Sequence, residues 1–206
     1  MRKLLPVLHV LGLVIVLFSM TMAIPLAASF VFADGAKDAF IRALVAGLAA
    51  GALLSLATRS RRRELTPRDG YLLVSLVWTV LAVIAMLPLV FYYRQAGMPL
   101  SITDAYFEAM SGLTTTGATV LTGLDALPPS INVWRCTLNW IGGMGILVLA
   151  VAILPMLGAG GSQIFRAETP GPMKDEKLTP RITGTAKGLY AIYMLLSLAC
   201  VLAYRA

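Results

Sequence analysis

The sequence predicts an all-α membrane protein. It should have about five membrane-crossing helices and one shorter, re-entrant helix that enters and returns as a loop. Three observations carry this. The 206 residues are 58% hydrophobic and 13% charged, with mean hydropathy +0.81, whereas a soluble domain carries about 25% charged residues. Several apolar runs approach the roughly 20 residues needed to cross a hydrocarbon core. Between the third and fourth runs lies Leu100 to Leu127, too polar and too short to cross.

The first span runs from Leu4 to Phe32, with Pro6 and Pro25 toward its ends, where helix breaks cost least. A cleaved signal peptide is the alternative, with Met1-Arg2-Lys3 as its basic start and Val31-Phe32-Ala33 as its cleavage site. The apolar stretch far exceeds the about 7–15 residues of a signal core, so it is read as a retained span. The turn at 33–38 is external. The second span, Ala39 to Ala57, carries Gly47, Ala49, Ala50 and Gly51, small residues that let helices approach closely. Residues 1–69 thus form a helix pair with a basic linker.

The third span, Tyr71 to Tyr93, has Tyr71, Trp78, Tyr92 and Tyr93 placed as interfacial aromatics, and Pro88 should kink its last turn. The fourth runs from near Ile131 to about Leu157 and carries Trp134, Arg135, Asn139 and a Gly-Gly-Met-Gly run at 142–145. Residues 70–160 therefore form one unit of helix, re-entrant loop and helix. Residues 161–187 read as a polar linker and 188–206 as the first helix of a second, incomplete unit. No second loop of the same kind follows, which predicts a fragment or truncated chain.

The net charge is +7. In a membrane protein such an excess reports orientation. Arg2, Lys3, Arg59, Arg61, Arg62, Arg63, Arg68, Arg166, Lys174, Lys177, Arg181 and Lys187 fall on one side if the spans alternate. Lys37, Arg42, Arg94 and Arg135 fall on the other. This places the N-terminus in the cytoplasm and the re-entrant loop outside. Nucleic-acid binding by the Arg-rich run at 59–63 is the disfavoured alternative. Cys136 and Cys200 read as buried membrane thiols, and His9, the only histidine, as a packed or interfacial residue. The sequence shows no cluster of acid, base, nucleophile or metal ligands deep in the spans, so an enzyme is not expected and no cofactor is implied.

The re-entrant stretch holds the chemistry. Ser101 and Thr103 are cap-type residues, and Asp104 suits the positive end of a short helix. That helix should stop near Gly112, and the chain should return extended through Thr114, Thr115, Thr116, Gly117 and Ala118, because β-branched threonines form helix poorly. Irregular backbone at membrane depth is tolerated only where it is buried in protein or lines a watery cavity. A row of carbonyls there replaces the hydration shell of a cation. Glu108 is read as a buried acceptor rather than an ion ligand, and Asn139 as bonding backbone. Arg135 is read first as a headgroup anchor, with bracing of the loop as the alternative. Asp125 either adds negative potential at the outer mouth or caps the following turn.

The segment TDAYFEAMSGLTTTGATVLTGLDALP (103–128) resembles the first pore loop of the Trk/Ktr/HKT potassium-uptake superfamily. WIGGMGILVLAVAILPMLGAGG (140–161) and FRAETPGPMKDEKLTPRITGTAK (165–187) extend the resemblance, and it covers essentially the whole chain. It is most similar to the bacterial Trk-type membrane subunit. The resemblance implies potassium as the transported ion, held by carbonyls of Thr114 to Ala118. Thr115 and Thr116 match the potassium-contacting positions, and Gly117 matches the filter glycine. It further implies four such units around one pore, a homodimer of the full-length protein in the bacterial inner membrane, and a cytoplasmic nucleotide-binding regulatory subunit. A different polytopic transporter or membrane scaffold, with a merely structural loop, is the alternative.

Overall fold

The computed structural model describes residues 4–59, 67–157 and 178–205, and among these every regular element is helical. The Arg-rich run beyond Arg59 and the linker at 158–177 lie outside the described residues. The chain divides into two compact units, Met1–Trp140 and Ile141–Ala206.

The first apolar run forms α1 (Leu5–Met20) and α2 (Ala23–Phe32) rather than one uninterrupted helix. Pro25 has no N–H to donate, so the ladder breaks in the turn before it. The Thr21 hydroxyl bonds the Phe18 carbonyl there, and Met22 N–H bonds the Ser19 carbonyl at 3.0 Å. Pro25 thus acts one turn earlier than its place toward the end of the span suggests. Ala33, in the left-handed region at φ 48°, ends α2. The chain then turns into α3 (Lys37–Thr58).

α1 and α3 cross at glycines. A Cβ on Gly12 would lie 2.7 Å from the Ser55 nitrogen, and one on Gly51 would lie 2.8 Å from the Gly12 carbonyl oxygen. Only hydrogen fits at either place. Ala49 and Ala50 lie on the opposite, exposed face. His9 is packed against α3, with Nδ1 2.9 Å from the Ser55 carbonyl.

The third span is likewise broken, into α4 (Pro67–Ala85) and α5 (Leu87–Gln95). Pro88 is responsible, and the break at Met86 falls earlier than the last turn. After it comes the re-entrant helix α6 (Ile102–Leu113), which ends one residue beyond the expected stop at Gly112. A 3₁₀ turn at Leu124–Ala126 leads into α7 (Pro129–Leu157), the expected fourth span. Four candidate membrane spans stand out among the described residues: Leu5–Phe32, Lys37–Thr58, Arg68–Gln95 and Lys187–Tyr204. The last belongs to α8 (Leu178–Arg205), which starts well inside the stretch read as linker.

The core of the first unit gathers around Trp134 on α7, which has no exposed surface. Phe18 and Phe40 pack on its ring at 5.9 and 6.5 Å between centroids. Its indole N–H donates to the Ala85 carbonyl at 2.9 Å. That carbonyl lies at the Pro88-induced break, so the break supplies an acceptor that buried Trp needs. In the second unit α7 meets α8 at Gly143, where a Cβ would stand 2.6 Å from the Tyr193 hydroxyl oxygen. Cys136 and Cys200 are exposed, not buried, because they lie on helix faces that nothing else described covers.

Candidate functional site

The site is built on α6 and the limb that returns from it. Ser101 caps the helix: its hydroxyl oxygen accepts from Asp104 N–H at 3.0 Å, and the hydroxyl donates to the Asp104 carboxylate at 2.7 Å. Asp104 also places negative charge in the first turn, where the helix dipole favours it. Gly112 lets α6 press on α7, since a Cβ there would lie 3.0 Å from Leu138 Cβ.

The end of α6 is a Schellman turn. Thr116 N–H bonds the Ser111 carbonyl at 2.9 Å and Thr115 N–H bonds the Gly112 carbonyl at 2.9 Å. The left-handed position that this motif needs is normally filled by glycine. Here it is Thr115, with φ 58°. A β-branched residue in this region is strained, and such outliers persist where the surroundings enforce them. Gly117 follows at φ 73°. The return limb therefore does not begin extended: Thr114 and Thr115 form a turn, because the helix's terminal carbonyls capture the next N–H groups. Residues 114–120 are exposed.

Behind this limb stands a polar brace. Glu108 on α6 is 5% exposed. Its carboxylate accepts from Arg135 Nε at 2.7 Å, from the Thr119 hydroxyl at 2.9 Å and from Val120 N–H at 3.2 Å. Arg135 therefore braces the loop and is not a headgroup anchor. Its position near the end of a span suggested snorkelling, but a buried carboxylate one helix away outcompetes the headgroups. Arg135 also reaches the Asn132 side-chain oxygen at 3.3 Å, and Asn132 donates to the Leu124 carbonyl at 2.8 Å. Asn139 donates to the Arg135 carbonyl at 3.1 Å, the backbone bond expected of it. Ser111 donates to the Ala118 carbonyl at 2.6 Å. A cavity of about 30 Å³ lies between Glu108, Ser111, Gly112, Gly117, Ala118, Arg135 and Asn139, roomy enough for one water.

The structure thus brings all the predicted residues together. Thr114 to Ala118 form the exposed limb, and Glu108, Arg135 and Asn139 stand behind it. Asp125 is exposed in the 3₁₀ turn. Ser111, Thr119 and Asn132 were missed by sequence reasoning. The signal for Asn132 was present: 132, 135 and 139 repeat at three and four residues and form one polar stripe on α7. Nothing in the sequence marked Ser111 or Thr119.

The chain as a whole matches a known family. The family described as "TrkH: Cation transport protein" matches residues 36–206. The chain belongs to the TrkH family. Among its relatives, the Trk system potassium uptake protein TrkH of Halomonas elongata is 54% identical over 200 residues, 97% of this chain and 41% of that protein. The TrkH of Escherichia coli K12 is 52% identical over 195 residues, 95% of this chain and 40% of that protein. The crystal structure of the potassium transporter TrkH from Vibrio parahaemolyticus superposes with a TM-score of 0.81 at 42% identity, over 98% of this chain and 39% of that one. This TrkH-family chain thus spans about two-fifths of the length of the curated relatives it matches. It is a multi-pass helical membrane protein.

Proposed function

We propose that this chain supplies the N-terminal helix pair and the first of four pore-lining units of a potassium uptake protein. Potassium sheds water at the outer mouth and is held by backbone carbonyls of Thr114 to Ala118, with Thr115 and Thr116 closest to the ion. The protein sits in the bacterial inner membrane with its N-terminus in the cytoplasm, as the basic residues favour. Full-length copies pair as a homodimer and take a cytoplasmic nucleotide-binding regulatory subunit. Potassium is the transported ion; the mechanism draws on no resident cofactor and no enzymatic step.

The backbone of the limb carries this reading. Thr115 and Gly117 have positive φ, and the residues between and beside them do not. Successive residues of a regular strand face opposite ways. Reversing the handedness at every second residue counters that alternation and favours a row of carbonyls on one side over Thr114 to Gly117, as coordination of a bare cation demands. The Ala118 carbonyl at the end of the row also accepts from the Ser111 hydroxyl. The Glu108–Arg135 brace supports such a row from behind. It keeps a full negative charge satisfied within the protein, so that dipoles rather than a carboxylate meet the ion. The C-terminal end of α6 adds partial negative potential beside the limb.

The test is growth of an uptake-deficient bacterium at limiting potassium. The chain extended to the relatives' length should restore growth. Failure of the extended chain, at normal membrane levels, would contradict the proposal.

A further inference from the structure

Asp34 lies in the turn between α2 and α3, just ahead of the region matched by the family. Its carboxylate nevertheless reaches the pore unit. It accepts from Ser130 N–H at 2.8 Å, across 96 residues of chain. Ser130 is in the first turn of α7, where backbone N–H groups have no partner within the helix. The same carboxylate accepts from the Ser29 hydroxyl and from Ala36 N–H at 3.2 Å, which fixes it to its own turn. Asp34 is thus an N-cap supplied in trans, and its charge suits the positive end of the helix.

We infer that Asp34 is a positioning residue for the filter, acting through the register of α7. This rests on the proposed transport function. The first turns of α7 carry two adjacent stripes. Ile131, Trp134 and Leu138 are buried, with Trp134 held by Phe18, Phe40 and the Ala85 carbonyl. Asn132, Arg135 and Asn139 turn toward the limb and the brace. Trp134 and Arg135 are neighbours, about 100° apart around the axis. Seating one therefore aims the other. The aromatic grip sets the rotation, and the Asp34 cap sets the axial position. A slip of one residue would move α7 by about 1.5 Å and rotate it by about 100°, carrying Arg135 off Glu108. The N-terminal helix pair therefore sets the geometry of the filter through α7.

The test uses the chain extended to the relatives' length, with potassium uptake normalised to protein in the membrane. Asp34→Asn keeps the shape and removes the charge. It should raise the KM for potassium about fivefold, because one of the two accepting oxygens becomes an amide N–H donor that cannot serve both Ser130 N–H and the α2–α3 turn, and lower potassium-over-sodium discrimination, with Vmax per molecule retained. In an Arg135→Lys background the same change should add little further, because Asp34 acts through Arg135. Should Asp34→Asn fail to reach the membrane, Ser29→Ala decides: it removes one donor, leaves the cap in place, and should shift KM the same way by less. Loss of Vmax or protein amount alone, with KM and discrimination unchanged, would overturn the inference and leave Asp34 a folding residue. So would full additivity with Arg135→Lys. No potassium uptake by the unsubstituted extended chain would overturn the transport reading itself, and this inference with it.

Discussion

Arg135 and Glu108 show how one contact decides between two readings of a residue. A charge near the end of a span normally reaches for headgroups. Here the 2.7 Å bond to a carboxylate that is almost wholly buried makes it part of the brace behind the returning limb. Removing one partner of a buried pair strands the other, at a cost of about 3–5 kcal/mol. Arg135→Gln should therefore lower thermal stability in detergent by that order and weaken potassium selectivity, and Glu108→Gln combined with it should recover part of the stability. A double variant no more stable than the single would contradict the pairing. Asp34 makes a second prediction. Burial by itself would raise its carboxyl, but hydrogen bonds from Ser29, Ser130 and Ala36 outweigh that and hold it below its ordinary 3.8. A depressed carboxyl contributes stability above its ordinary pKa and loses it as pH falls through the lowered value. Melting of the protein should therefore show an added loss below about pH 4 that Asp34→Asn lacks.

Among the elements, the sequence was most informative where hydropathy and length agree. The four candidate spans and the capped short helix follow from apolar runs and from Ser101 and Asp104, and the start of α7 at Pro129 lies two residues ahead of the expected Ile131. The breaks at Thr21–Met22 and Met86 were harder to place. Pro25 and Pro88 were visible, but a proline opens the helix in the turn ahead of it rather than at itself. The left-handed Thr115 had no signal at all, because threonine does not advertise positive φ as glycine does. The α1–α3 crossing was half legible, since Gly51 announced close packing while Gly12, its partner on α1, was not singled out. Gly12→Leu would drive a side chain into the backbone of α3. It should abolish stable folding or cut membrane levels severely, whereas Ala49→Leu, on the exposed face, should be tolerated. Equal levels of the two variants would show that the helices do not meet at Gly12.

For the molecule as a whole, the arrangement separates the exposed limb, the proposed filter, from the parts that hold it. The limb from Thr114 to Ala118 is exposed and conformationally unusual. Glu108, Arg135, Asn132 and Asn139 restrain it from one side, and the N-terminal helix pair restrains α7 from the other. The residues of the limb were readable from the sequence, through Thr-Thr-Thr-Gly between two spans. The restraints were largely not, because they join positions as distant as Asp34 and Ser130 or Trp134 and Ala85, and no local pattern links such pairs. The most direct measurement is the potassium-over-sodium uptake ratio of Gly117→Ser in the chain extended to the relatives' length. A Cβ at Gly117 would meet nothing within 4 Å, so the substitution acts through the backbone angle at φ 73° and not through a clash. The account predicts a clear fall in the ratio at unchanged membrane levels. An unchanged ratio would contradict the assignment of this limb as the filter.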